Sequence, residues 1–120
     1  MTPDARLVGL FERLMDINRE AFDTGHYEVA YHALMAALHV AADLDDDAAV
    51  AAVRNTAESQ GAWIDTHAAG HRLSTPSAAA HGGHSVFATT ATHAAAVAAR
   101  SRAGRALADA RSLRNPTPRD

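Results

Sequence analysis

The sequence predicts an all-α fold: four helices, mainly antiparallel, in a bundle-like domain with a long connection between the third and the fourth. Three observations predict it. Alanine, the strongest helix former, supplies 30 of the 120 residues. The stretch from Gly25 to Leu44 is apolar nearly all the way round at the helical period. Finally, the breakers Gly25, Asp43 to Asp47, Pro76 and Gly82-Gly83 fall between segments of that period.

The first helix is expected to start at Thr2-Pro3-Asp4, where threonine can cap, proline suits the first helical position and aspartate favours the positive end. It runs to about Thr24, with Leu7, Leu10, Phe11, Leu14, Ile17, Asn18, Ala21 and Phe22 on its inner side. Gly25 stops it, and the very short turn that follows lays the second helix antiparallel beside it.

On the second helix one narrow polar stripe, Glu28, His32, Met35, His39 and Asp43, faces away from an apolar remainder. That remainder is Val29, Ala30, Ala33, Leu34, Ala37, Leu38, Val40 and Ala41. Such a helix requires neighbours on more than one side, from a bundle or from a partner chain. The acidic turn Asp43 to Asp47 lacks the glycine and the distant glutamate of an EF-hand, so its aspartates read as the cap and first turn of the third helix.

The third helix is expected over Asp46 to Arg72, with Val50, Val53, Ala57, Gly61, Ile64 and Ala68 as its inner line. Gly61 allows close helix contact, and Trp63 flanks the same side as a packed or interfacial aromatic. Leu73 to Gly83 reads as the long connection, in which Ala78 to Ala80 form at most a transient turn. The fourth helix runs from Ser85 to about Leu113 on a weak inner line of Val86, Thr90, His93, Val97, Ser101, Gly104 and Ala108. Residues 1–113 then make one helical domain, and residues 114–120 a flexible tail.

Composition narrows the function classes. Alanine buries little area, so the large apolar residues carry the hydrophobic stabilisation of about 25 cal/mol per Å², and self-association into a homo-dimer or other homo-oligomer is expected. With no cysteine there is neither a disulfide framework nor a thiolate nucleophile or ligand. All eleven basic side chains are arginine. Residues 1–99 hold five of them against twelve acids, and residues 100–120 hold six against two, giving a body near −7 and an end near +4. Six arginines scattered round a helix and tail are a weak footprint for nucleic acid. No basic-then-apolar leader and no long apolar run is present, so a cytoplasmic location without membrane contact is the expectation.

Gly25, Tyr27, Ala30, Leu34, Ala37 and Leu38 together resemble the second half of a tetratricopeptide repeat, in which glycine, an aromatic and small residues let paired helices meet. The resemblance implies helical pairs that bind peptides or protein partners. Neither the tryptophan-bearing first helix of that family nor a second copy at repeat spacing is present.

Chemistry, if any, falls to histidine. Glu28, His32, His39 and Asp43 lie on one side of the second helix, and imidazole with carboxylate suits a divalent transition metal such as zinc, nickel or iron. His32 and His39 stand about 10.5 Å apart along the axis, so one ion would need further ligands, with His93 and His71 as the candidates. The competing readings are a solvent-facing stripe with an internally bonded His93, or a hydrolase or other enzyme using a buried His93 or His71 as base. No phosphate loop, dinucleotide glycine pattern or HExxH sequence accompanies them. The preferred expectation is a small helical interaction or adaptor module that self-associates and takes a protein or peptide partner.

Overall fold

The computed structural model describes residues 4–114. They form five helices: α1 Ala5–Asp23, α2 Tyr27–Asp43, α3 Asp47–His67, α4 Thr75–Ala80 and α5 Val86–Arg114. The all-α, mostly antiparallel architecture agrees with the sequence, but the count of four does not: the long connection contains a short helix. Local chemistry explains it. The Ser74 side chain accepts from the Ser77 backbone N–H at 3.1 Å, and its hydroxyl donates to the Ala69 carbonyl at 2.6 Å, so the turn is capped and tied at once. Pro76 then sits in the first turn, where it costs no hydrogen bond.

Helix boundaries follow similar logic. Asp4 caps α1 by accepting from Arg6 N–H at 2.9 Å, whereas the expected contributions of Thr2 and Pro3 lie outside the described residues, as does the expected tail from residue 115. Gly25 takes the left-handed conformation, φ 81°, that closes α1 and opens the turn to α2. Asp46 caps α3 through Ala48 and Ala49 N–H. That helix ends at His67, five residues before the expected Arg72, and the His71 ring turns back to accept from Leu73 N–H at 3.1 Å.

Two close antiparallel pairs, α1 with α2 and α3 with α5, are joined through α2, which also touches α5. The core is Leu34, Leu38, Val50, Val53, Ile64 and Phe87, with alanines of α2, α3 and α5 between them. Phe87, absent from the predicted inner line, is fully buried, and that line runs through Phe87, Thr90 and Ala94 instead of through His93, which is exposed. The shift has a steric cause. Gly61 leaves room for α5 at this crossing: a Cβ there would stand 3.1 Å from the Phe87 Cβ.

A buried amide pair ties three helices together. Asn18 of α1 donates to the Ala30 carbonyl of α2 at 2.8 Å and to Gln60 Oε1 of α3 at 3.0 Å, while Gln60 Nε2 donates back to Asn18 Oδ1 at 2.7 Å. Among the described residues no buried side-chain polar atom lacks a partner. Phe22, Tyr27 and Trp63 meet beside this pair, with ring centroids 5.1 to 6.0 Å apart.

The molecule is long and flat, 65 × 31 × 17 Å, with a radius of gyration of 17.8 Å. A compact chain of this length would have roughly 14 Å. The free end of α5 contributes to that length. Ser101 donates to Asp45 at 2.8 Å and Arg105 pairs with Asp47 at 2.5 Å, at the start of α3. Beyond that point α5 overhangs the bundle by nine residues, about 14 Å. Every residue from Arg102 to Arg114 is exposed. The acidic turn is thus explained by its neighbour: it caps α3 and holds the basic end of α5.

Candidate functional site

The histidines and carboxylates singled out by spacing do not converge. Glu28 is drawn to Arg72, with His32 Nε2 4.0 Å away on its other side. His32 is exposed and lies against the Tyr31 ring, and Asp43 is exposed at the end of α2. His71 is half-buried, turned edge-on to Tyr27 at 4.9 Å and engaged with its own loop. Only His39 and His93 come together, as exposed rings 6.5 Å apart and nearly perpendicular. No group of three or more histidine, cysteine, aspartate or glutamate side chains able to hold a metal exists among the described residues. The expected divalent transition metal site is therefore overturned. The residues assigned to it, Glu28, His32, His39, Asp43, His71 and His93, are divided among separate surface contacts because α2 spreads its ligands over more than two turns and α5 offers His93 to one of them alone.

Of the two histidines the enzyme alternative would use, His93 is exposed and His71 is half-buried. A cavity of about 330 Å³ between α3 and α5 is lined by Glu58, Asp65, Thr75 and Ser85 with small apolar neighbours, and by no histidine. Its most functional-looking acid is already engaged: Asp65 accepts from Thr75 N–H and from the Thr75 hydroxyl, both at 2.7 Å, and so fastens α4 to α3.

Large apolar side chains in open water are the more informative feature. Leu10 and Ile17 of α1 are 42% and 47% exposed, and Val29 of α2 is 52% exposed. They share the outer side of the α1–α2 hairpin. Ile17 and Val29 line one shallow depression of about 250 Å³ with Glu20, Ala21, Thr24 and His26. Leu10 lies two helical turns toward the start of α1, among Arg6, Gly9, Glu12, Arg13 and Asp16. Half-buried Leu7 lies at the start of the same side, whereas Leu14 packs against the core and Ala21 is buried.

The sequence places Leu10 and Ile17 on the inner side of the first helix, and this is corrected. One neighbour needs only part of the apolar arc of α1, and Phe11, Leu14, Met15 and Phe22 supply it with Asn18. The signal was the width of that arc, which exceeds what a single adjoining helix can cover. On α2 the predicted burial holds for Ala30, Ala33, Leu34, Ala37, Leu38 and Ala41, but Val29 escapes it and Val40 is only half covered.

A second exposed apolar group lies on the overhang of α5, where Leu107 and Leu113 are 55% and 84% exposed. Among the described residues no helix is long and apolar enough to cross a membrane. No family model, curated protein or solved structure matches the chain; the tetratricopeptide-like residues Gly25 to Leu38 close the hairpin between α1 and α2.

Proposed function

We propose that the chain is a self-associating interaction module whose contact surface is the outer side of the α1–α2 hairpin. The observation that carries the reading is the exposure of Leu10, Ile17 and Val29, of which Ile17 and Val29 share one depression between α1 and α2. Burying such side chains against a partner stabilises by about 1.5–3 kcal/mol each when burial is complete. Among the described residues many carboxylates are engaged as caps and ion pairs, and the histidines singled out from the sequence are dispersed.

The test is sedimentation velocity on the full chain and on Ile17→Lys. The wild type is expected to sediment as a dimer or larger species at micromolar concentration, and the variant as a monomer with unchanged helical content. A wild-type chain that stays monomeric at all accessible concentrations, or an Ile17→Lys chain that assembles as well as the wild type, overturns the reading.

A further inference from the structure

We draw no further inference here: the strongest candidate, the exposed apolar face of the α1–α2 hairpin at Leu10, Ile17 and Val29, belongs to the self-association already proposed, and nothing in the structure shows what covers it.

Discussion

Asn18 and Gln60 show how a polar pair can be tolerated at the centre of an alanine-rich interior. Each amide uses the other as both donor and acceptor, and the spare Asn18 proton goes to the Ala30 carbonyl, so neither desolvated group is left without a partner. Removing one member breaks that balance. Asn18→Leu is expected to destabilise by about 1–3 kcal/mol, because it strands the buried Gln60 amide, whereas Asn18→Leu/Gln60→Leu should recover part of the loss. Urea unfolding of the wild type, both single variants and the double variant measures the coupling, and strict additivity would mean the two side chains do not act as a unit. The pair was only half legible from the sequence. Asn18 falls on the inner side of its helix by spacing, but nothing local points to a partner forty-two positions away.

At the scale of elements, α5 is two helices in behaviour. Its first half is clamped by Phe87 against Gly61, and its midpoint is pinned by Ser101 and Arg105 on the α2–α3 turn. The nine residues beyond are exposed and are held, among the described residues, by no side-chain hydrogen bond or ion pair. Arg105 and Asp47 are about half exposed, so Arg105→Ala should cost no more than about 1 kcal/mol of global stability. Its effect should instead be local, as faster amide exchange from Ala106 onward. Gly104 meets no side chain in its surroundings, and Gly104→Ala should slow exchange in the same segment by reinforcing the helix, a gain of about 1 kcal/mol in propensity. Hydrogen–deuterium exchange at low protein concentration reads both. Uniform protection along the whole of α5 in both variants would count against a two-part helix.

For the whole molecule, the separation of charge bears on assembly. A body with five arginines against twelve acids and an end with six against two attract each other within one copy, where Arg105 meets Asp45 and Asp47, and on the self-association proposed above they would do so between copies as well. The Debye length falls from about 10 Å at 0.1 M salt to 3 Å at 1 M. Dimerisation should therefore weaken by roughly a few fold over that range without disappearing, because the apolar contact survives screening. Sedimentation equilibrium at the two salt concentrations gives the ratio. Association that strengthens steadily with sodium chloride would indicate that charge plays no part.

By itself the sequence determined that the chain is helical, where its main breaks fall, and that α2 is the most enclosed segment. These follow from propensity, period and capping, all written within a few neighbouring residues. Only the tertiary structure decided which part of each apolar arc is used. It turned Phe87 inward and His93 outward, left Leu10 and Ile17 of α1 open to water, scattered the histidines that spacing had aligned, and ran α5 past the end of its partner. A helix of period 3.6 presents several nearly equivalent faces, and the choice among them depends on where distant helices cross, which neither residue type nor spacing encodes.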